Sequence, residues 1–518
     1  MKRKGVGYHL KAALREMLGP WNLSDPAAFT TGKGADLTRL TLDWIASCRS
    51  PDDEVRGTMR RLRARARELE RNNAYAANYL QLLSDNVIGP HGFTHQAQVR
   101  NNDGNLNKQL NDKIEEAFAD WCRSVTRDGK LGLVQLEQLL MGTVARDGEV
   151  LVRKVRGPKY AHGLALEPVD ADLLDESFNR PAGPRDNEVR MGVEVDEDAR
   201  PVAYHIFSDL YSLTRRSLHQ RERVPAEDMI HLYRPRRVNQ TRGVTWFLPV
   251  MIPLRMLDGY EEAELVAARV AAAKMGFFTA KDEDVSEFNE GTGKGPITME
   301  ANPGSAEQLP PGWSFESWDP THPTNAFGPF VKGTLRKIAS GLHVSYNGLT
   351  SDLESVNYSS MRSGLLIERD TWRSLQDWWI CSFRQAIYRE WLSMATLSGD
   401  LVLDTRDFRK FTAVKWTPRG WAWVDPQKDT AATVQALGFG LSTRTDALAE
   451  QGKDLETVLM QLAEEQELAE ELGVKIDGPP APAATTAMVD QDEQDKKDTE
   501  ATTAKNGHGR LAALLREE

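Results

Sequence analysis

The sequence is poor in cysteine and contains no long apolar run. Its three cysteines, Cys48, Cys122 and Cys381, are odd in number and far apart in a chain of 518 residues. They predict neither a disulfide framework nor a CxxC metal site, and they fit a reducing compartment. The basic first four residues are followed by a charged segment and not by the apolar core of a signal peptide. No stretch of about 20 apolar residues occurs, so no transmembrane helix is expected.

The sequence also lacks the basic excess of a tight nucleic-acid binder. It has 65 Lys and Arg against 76 Asp and Glu, a net charge of −11. The acidity is uneven, because residues 449–518 hold 17 acids and 7 bases, a net of −10. This leaves 59 acids and 58 bases in residues 1–448, so the body of the protein is nearly neutral. Any contact between the body and DNA is therefore expected to be weak and non-specific.

No motif gives a convincing enzymatic signature. Residues 291–295 resemble a phosphate loop, but Phe288 and Gly295 stand where a P-loop needs Gly and Ser or Thr. His91 and His95 have the spacing of metal ligands, but they lie in a Gly- and Pro-containing loop. No GxSxG or SxxK setting marks a nucleophile. We therefore expect no catalytic residue, no metal and no cofactor.

Hydrophobic periodicity predicts an α+β fold that is mainly helical. Apolar residues at spacings of three and four predict a long helix from Asp52, which the pair Gly89 and Pro90 ends. Further helices are expected over residues 111–124 and 135–145. The period then changes, and segments rich in β-formers and punctuated by Pro and Gly predict strands up to about Tyr233.

The second half of the sequence alternates long helices with polar loops. An alanine-rich helix is predicted over residues 245–278, with acids in its first half and bases in its second, as the helix dipole favours. A helix over 325–340, stopped by Gly341, precedes a predicted loop over 343–355. A long helical pattern follows over 356–397. Only its second half has a heavy apolar face, so something other than a core is expected to face the first half.

Arginines crowd the first predicted helix. They are Arg56, Arg60, Arg61, Arg63, Arg65, Arg67 and Arg71. Two interpretations stay open: a phosphate-facing surface, or a face that pairs with acids of a neighbouring element or subunit. The second is favoured because alternate positions point several ways around a helix. The candidates for a subunit interface or a phosphate contact are Arg60, Arg61, Arg63, Arg65 and Arg67.

Four segments, taken in order, have the pattern of a known family. They are RNNAYA (71–76) running on to NVIGPHGF (86–93), QTRGVTW (240–246) with LDGYEEAEL (257–265), GLHVSYNGLTSDLESVNYSS (341–360) and WVDPQKD (423–429). Their order and spacing resemble the lambda-type portal proteins of tailed bacteriophages. The resemblance covers about residues 50–475, and no single motif is decisive. It implies a ring oligomer, typically of twelve copies, with an axial channel for DNA packaging and ejection at one capsid vertex.

The resemblance also implies a layered subunit of wing, stem, clip and crown. It assigns a poorly defined N-terminal segment (1–50), a wing that is helical and then β-rich (51–244), a first stem helix (245–278), a clip (279–322), a second stem helix (323–342), a tunnel loop (343–356), a long helix returning to the wing (357–429), crown helices (430–477) and a disordered acidic tail (478–518).

Site residues and partners follow from the same resemblance. The tunnel loop and the adjoining helix are expected to face the DNA channel through Tyr346, Asn347, Leu349, Thr350, Ser351, Asp352, Leu353, Asn357 and Tyr358. The clip is expected to dock terminase and connector proteins through Lys281, Asp282, Lys294 and Trp313. Expected partners are further copies of the chain, double-stranded DNA bound without sequence preference, the terminase large subunit, head-completion or connector proteins, and the major capsid and scaffolding proteins. No membrane partner is expected.

We therefore expect a non-enzymatic portal protein, located in the virion and, during assembly, in the host cytoplasm. Two alternatives from other classes stay open. One is a DNA-processing enzyme that combines the arginine-rich helix with a carboxylate-bound metal. The other is a monomeric adaptor that only binds DNA. Nuclease assays with acidic-residue variants separate the first from a portal, and the presence or absence of rings separates the second.

Overall fold

The computed structural model describes residues 48–207, 221–272, 276–280, 313–317, 327–354, 358–404, 406, 408–421 and 426–474. The chain divides into two compact units, each assembled from separate stretches. The first consists of Met1–Leu80, Thr143–Val155 and Leu166–Leu342. The second consists of Gln81–Gly142, Arg156–Ala165 and His343–Glu518.

Helices dominate the described residues. In chain order they are α1 (Pro51–Val55), α2 (Met59–Asn72), α3 (Ala74–Leu83), α4 (Lys108–Cys122), α5 (Leu133–Asp147), α6 (Met251–Ala272), α7 (Phe327–Leu342), α8 (Tyr346–Thr350), α9 (Tyr358–Trp379), α10 (Gln385–Leu397), α11 (Phe408–Phe411), α12 (Pro426–Gly438), α13 (Arg444–Ala449) and α14 (Leu455–Leu472). Two π-helical turns extend this framework: Ser84–Ile88 follows α3, and Ile380–Arg384 joins α9 to α10.

The strands form small sheets. They are β1 (Thr94–Ala97), β2 (Glu149–Arg156), β3 (Leu164–Val169), β4 (Glu188–Arg190), β5 (Val193–Val195), β6 (Pro201–Phe207), β7 (Arg221–Pro225), β8 (Met229–Tyr233), β9 (Gly276–Ala280), β10 (Trp313–Ser317) and β11 (Val414–Thr417). Strands β4 to β7 make an antiparallel sheet in chain order, and a second sheet has the order β3–β2–β8. β9 pairs with β10, and β1 with β11, both antiparallel. The predicted β-rich segment is confirmed.

The core of the first unit combines an apolar sheet face with buried charge. Strand residues pack into one cluster made of Leu151, Val169, Leu174, Val193, Val195, Tyr204, Ile206, Val224 and Met229. Beside it lies Glu149, the first residue of β2, which is fully buried. Arg242 donates to both oxygens of this carboxylate, and Arg63 donates to Oε1. Burial of a carboxylate is tolerated because each oxygen accepts hydrogen bonds from paired cations.

The core of the second unit is aromatic. Phe118 on α4 and Tyr388 and Trp391 on α10 have ring centroids within 5.9 Å of one another. The π-helical turn Ile380–Arg384 contributes a buried arginine to this unit. Arg384 donates to both oxygens of the buried Glu137 on α5. The same carboxylate also accepts from the indole of Trp379, so no polar atom of Glu137 is left unpaired.

A contact between two glycines attaches the last helices to the rest of the second unit. Gly420, in the chain that follows β11, lies against the turn between α13 and α14. A Cβ atom on Gly420 would overlap the backbone of Gln451 and Gly452. Gly452 itself has a φ of +74°. Only glycine combines this conformation with so close an approach of two backbones. The exposed ion pair between Lys108 and Glu456, at 2.9 Å, lies at the same end of α14.

The first predicted helix is broken into pieces. It consists of α1, α2 and α3, because Gly57 has a φ of +78° and Asn73 has extended backbone. Asn73 caps the start of α3, because its side-chain oxygen accepts a hydrogen bond from the backbone N–H of Ala76. The predicted end at Gly89 is confirmed, since Gly89 has a φ of +76°.

The prediction that Gly341 stops its helix is wrong. Helix α7 continues to Leu342, and His343 takes the left-handed conformation with a φ of +59°. Gly341 is needed for a different reason. A Cβ atom there would lie 2.5 Å from Cγ1 of Val250, so this helix approaches residues 249–250 too closely for a side chain. The predicted loop over 343–355 is also partly wrong, because it contains the helical turn α8.

Candidate functional site

The segment that follows α7 has a defined conformation and is tied to helix α9. The Ser345 hydroxyl accepts from the backbone N–H of Gly348 at 3.0 Å and donates to the buried Glu368 at 2.8 Å. The Tyr346 hydroxyl donates to Asp352 at 2.7 Å, across the turn. Side-chain caps of this kind satisfy backbone groups that a helix of five residues leaves open. The segment is therefore held by hydrogen bonds at both ends of α8.

The nine predicted channel residues differ in their exposure to solvent. Leu349 is 1% exposed and anchors the segment, so its assignment to a channel surface is wrong for this conformation. Ser351 and Leu353 are exposed, and Leu353 is 66% exposed although it is apolar. Half-buried positions are Tyr346, Asn347, Thr350 and Asp352. Asn357 lies outside the described residues, and Tyr358 is the first residue of α9.

The exposed part of this segment has no positive charge. From Val344 to Met361 the sequence has no Lys or Arg, and its charged residues are Asp352 and Glu354. Ser351 has a φ of +55°, which turns the chain sharply after α8 and leaves Leu353 and Glu354 exposed beyond the turn. A polyanion would meet hydroxyl, apolar and acidic groups there.

The arginine-rich helix α2 separates into buried and exposed positions. Arg63 is buried and pairs with Glu149 and Asp172. Arg67 pairs with Asp147, Asp170 and Asp172 at 2.7–2.8 Å. Because Arg63 is buried, its prediction as a phosphate or subunit contact is wrong. The Arg67 side chain is 23% exposed, so its assignment stays a prediction, although the pairing interpretation holds for both residues.

Three of the candidate arginines are exposed on the same helix. They are Arg60, Arg61 and Arg65. A helix turns by about 100° per residue, so positions 63 and 67 share one face and positions 61 and 65 share another. These three remain candidates for a phosphate or subunit contact.

The carboxylate network explains why the buried arginines are tolerated. Burial alone would raise the pKa of Glu149, but Arg242 and the neighbouring His231 hold that pKa well below its usual range. His231 Nε2 lies 2.9 Å from Oε2 of Glu149. The backbone N–H of Gly243 also donates to this oxygen, at 2.9 Å. Sequence reasoning missed this centre. Its only signals are an acid at the start of an apolar strand and an arginine within the QTRGVTW segment.

The predicted clip lies mostly outside the described residues. Lys281, Asp282 and Lys294 are outside them, as is the glycine cluster at 291–295. Trp313 is the first residue of β10 and is paired in register with Ala280 of β9. The structure thus describes one antiparallel strand pair of this region.

His95 is a packing residue. Its ring lies 4.6 Å from Phe118, 4.8 Å from Tyr388 and 5.1 Å from Trp416, measured between centroids. Neither ring nitrogen has a hydrogen-bond partner among the described residues. Burial, with the nearby Arg384 as a second cause, lowers the pKa of His95 to about 3. His91 is exposed. No group of His, Cys, Asp and Glu in the described part of the chain could hold a metal ion.

Helices α6 and α7 pack side by side through aromatic contacts. The Tyr260 ring lies 5.6 Å from that of Phe327 and 5.2 Å from that of Phe330. The outer face of α6 remains apolar and exposed, a feature that sequence reasoning missed because it expected an alanine-rich, closely packed helix. Within the described ranges, no helix has the length and apolarity needed to span a membrane.

Comparison with known proteins identifies the family. Residues 37–376 match the phage portal protein, lambda family. The probable portal protein of Halomonas phage phiHAP-1 is 34% identical over 460 residues, which cover 87% of this chain and 89% of that protein. Portal protein B of Escherichia phage lambda is 22% identical over 519 residues, covering 90% of this chain and 95% of that protein.

The matching solved structures are more distant in sequence. The neck of a native gene transfer agent particle, computed with C12 symmetry, has a TM-score of 0.41 and 12% identity, and covers 75% of this chain and 93% of its own. The sequence matches decide the family. The relatives are structural portal proteins and not enzymes, which removes the alternative of a metal-dependent enzyme. The chain belongs to the lambda family of phage portal proteins.

Proposed function

We propose that this chain assembles into a closed ring at one vertex of a phage capsid, and that DNA passes through the ring during packaging and ejection. The observation that carries the proposal is the family match over residues 37–376, together with a relative that matches 87% of the chain. The nearly neutral body supports it, because a conduit has to let DNA slide. Twelve copies is the number typical of the family.

The segment from His343 to Tyr358 is the proposed channel surface. Its support is the exposed group of Ser351, Leu353 and Glu354, and the absence of Lys and Arg from Val344 to Met361. Phosphates bind lysine and arginine by releasing counterions, and each such contact would add a barrier to sliding. Leu349 has a different role, since it anchors the segment beneath the exposed turn.

The proposed docking surface for terminase and connector proteins is the clip, whose base is the β9–β10 pair. This assignment rests on the family resemblance and on the position of the clip between α6 and α7 in the chain. Capsid and scaffolding proteins are proposed as assembly partners on the family resemblance alone. The exposed arginines of α2 remain candidates for subunit or phosphate contacts.

Electron microscopy of the full chain tests the ring. Negative-stain images and native mass spectrometry of the purified protein are expected to show rings with an axial hole. If the protein stays monomeric under all assembly conditions, alone and with its capsid and scaffolding partners, the proposal fails. A monomer that binds DNA would favour the adaptor alternative.

A charge change in the exposed turn tests the channel. The double variant Ser351→Lys and Glu354→Lys is expected to form rings and to reduce the amount of DNA packaged, because two cations per copy would hold phosphates. The control Glu197→Lys makes a similar change on an exposed turn between β5 and β6. Normal packaging by the double variant would show that this segment does not face DNA. Deletion of residues 346–353 is a harsher version, since it also removes the Leu349 anchor.

A further inference from the structure

Helix α9 carries a stripe of arginines along one face. Arg362, Arg369 and Arg373 follow one another at spacings of seven and four residues, which places them on the same side of the helix. Leu366 lies between them on this side and is 48% exposed. Arg373 is exposed, and the other two arginines are half-buried. A stripe that combines guanidinium groups with an exposed leucine suits an acidic ligand that also has apolar groups.

Trp421 lies beside this stripe. The guanidinium carbons of Arg369 and Arg373 lie 5.7 Å and 5.9 Å from the centroid of the Trp421 ring. The indole N–H donates to Oδ1 of Asn86 at 3.0 Å, and Arg419 donates to the backbone carbonyl of the residue before Asn86. These hydrogen bonds fix the ring and the arginine next to the stripe. Together these residues form the arginine patch: Arg362, Leu366, Arg369, Arg373, Arg419 and Trp421.

The positive charge of the arginine patch is only partly offset. Asp429 and Asp370 each pair with one of its arginines, at 2.6 Å and 3.1 Å. Burial, followed by the neighbouring Arg373, lowers the pKa of Arg369, although Asp429 opposes this shift. Burial also lowers the pKa of Arg419. Because crowded cations and burial both disfavour the charged guanidinium, an added anion would stabilise the patch.

The sequence beyond α14 contains a segment of complementary chemistry, which lies outside the described residues. Residues 490–500 hold six acids and two lysines, a net charge of −4. Met488 and Val489 directly precede them and are the only large apolar residues between positions 478 and 507. Acids next to a short apolar pair match a patch of arginines with an exposed leucine. The phosphate backbone of DNA has no apolar group to cover that leucine, so the patch fits a peptide better.

The chain is long enough to bring this segment back to the arginine patch. Gly420, next to Trp421, contacts Gly452, and α14 begins three residues after Gly452 and spans roughly 27 Å. The end of α14 therefore lies within roughly 45 Å of Trp421. The 16 residues from Leu472 to Met488 can span up to about 55 Å. A segment tethered in this way has an effective concentration on the order of millimolar.

We propose that the arginine patch binds residues 488–500 of the chain's own tail. The carboxylates pair with the guanidinium groups of the patch, and Met488 and Val489 cover Leu366. Bound in this way, the tail shields these cations from DNA phosphates. The inference does not depend on the proposed ring, because the patch and the tail belong to the same unit of one copy.

Photo-crosslinking of the full chain tests the inference. A benzophenone amino acid replaces Leu366 in a mixture of isotopically labelled and unlabelled chains, and mass spectrometry identifies the crosslinked peptides. Crosslinks to residues 488–500 of the same copy are expected. The same group at Val402, a position that is 94% exposed in the second unit, is the control and is expected to give none with that segment. If position 366 gives no crosslink to residues 488–500, or only crosslinks between copies, the inference is overturned.

Charge removal tests the pairing itself. The triple variant Asp492→Asn, Glu493→Gln and Asp495→Asn is expected to lower the crosslink yield by about tenfold, because it removes half of the acids of the segment. Arg369→Gln combined with Arg373→Gln is expected to have the same effect. The tail variant changes no residue of the patch, so it keeps the test valid if the arginine variant misfolds. An unchanged yield for the tail variant contradicts the pairing.

Binding of a short double-stranded DNA separates the tail from DNA as the occupant. At low salt, the tail variant is expected to bind DNA more tightly than the wild type, and the two arginine substitutions are expected to remove this gain. The matched control neutralises three exposed glutamates of α14, at positions 464, 465 and 467. An equal gain from the control, or crosslinks from position 366 to DNA with the tail intact, overturns the inference. Neither result depends on ring formation, so the proposed function is tested separately.

Discussion

The centre around Glu149 and the three C-terminal helices differ in the burial of their side chains. Glu149 is fully buried, and its oxygens accept hydrogen bonds from Arg63, Arg242 and the backbone of Gly243. Helices α12, α13 and α14 contain no buried residue. The first region completes its interactions within one copy, and the second leaves its apolar side chains in water.

The difference indicates which part of the chain depends on partners for its stability. The exposed apolar residues of the C-terminal region are Val434, Phe439, Leu441, Leu459, Met460, Leu462, Leu468, Leu472 and Val474. Helix α14 also carries six glutamates and no Lys or Arg. A helix of this length gains most of its stability from packing. We therefore expect the C-terminal helices to be more stable in the assembled ring than in a free copy, whereas the Glu149 centre is expected to be equally stable in both.

The largest expected effect comes from breaking the self-contained region. Glu149→Gln removes the negative charge that pairs with two buried arginines, and we expect a loss of about 3–5 kcal/mol in the free energy of unfolding. Thermal denaturation of the monomer measures it. Glu465→Gln, on the exposed α14, is the matched control and is expected to change stability by less than about 0.5 kcal/mol. Equal melting temperatures for the two variants would show that the network contributes nothing.

A smaller effect is expected at His95, a buried polar side chain without a partner. The pKa of His95 in the folded protein, about 3, lies below the unfolded value of 6.5. Between these values the unfolded chain binds a proton that the folded chain does not, so stability falls as the pH drops below 6.5. The slope is up to about 1.4 kcal/mol per pH unit.

Replacement of His95 by Phe is expected to remove this part of the pH dependence. Denaturant unfolding between pH 7 and pH 5 measures it, and His91→Phe, at an exposed position, is the control. Parallel pH profiles for His95→Phe and the wild type would mean that His95 binds a proton as readily in the folded protein as in the unfolded chain.

The smallest effect is expected at an arginine that lies between the paired ones. Arg65→Ala removes an exposed side chain from α2 and is expected to change the free energy of unfolding by less than about 0.5 kcal/mol. Arg63→Ala, on the opposite face of α2, is expected to cost several times more because it removes one of the cations that pair with the buried Glu149 and with Asp172. If equilibrium denaturation gives similar losses in the free energy of unfolding for both variants, the two faces of α2 contribute equally to stability.

Local sequence signals located most helices but not their environment. The alanine-rich pattern placed a helix at residues 245–278, and the structure has it at Met251–Ala272. Pro249 lies in the turns that precede the helix, where the Thr245 hydroxyl also accepts a hydrogen bond from the backbone N–H of Phe247. Burial of Arg63 could not be read from α2, because its acids lie at positions 149 and 172, far along the chain.

The candidate site shows the same division. Polar composition and the family resemblance indicated the segment after α7, but not that Leu349 points into the protein while Leu353 points out. Both are leucines in a polar segment, and only the helical turn and the left-handed Ser351 separate their directions. The apolar outer face of α6 was missed because periodicity indicates an apolar face without indicating which apolar face the fold covers.

The glycine pair at positions 420 and 452 has a mechanical consequence. Helix α14 is held near its first turn, by this backbone contact and by the pair of Lys108 with Glu456, while Leu472 at the other end is exposed. Its 18 residues span roughly 27 Å. The helix is thus attached near its first turn, and its last turn is exposed. A rotation of about 10° at the glycines would displace the far end by roughly 5 Å, which follows from the helix length. Only backbone atoms meet at the glycine contact, so the side chains that such a rotation would shift are those of the neighbouring ion pair between Lys108 and Glu456.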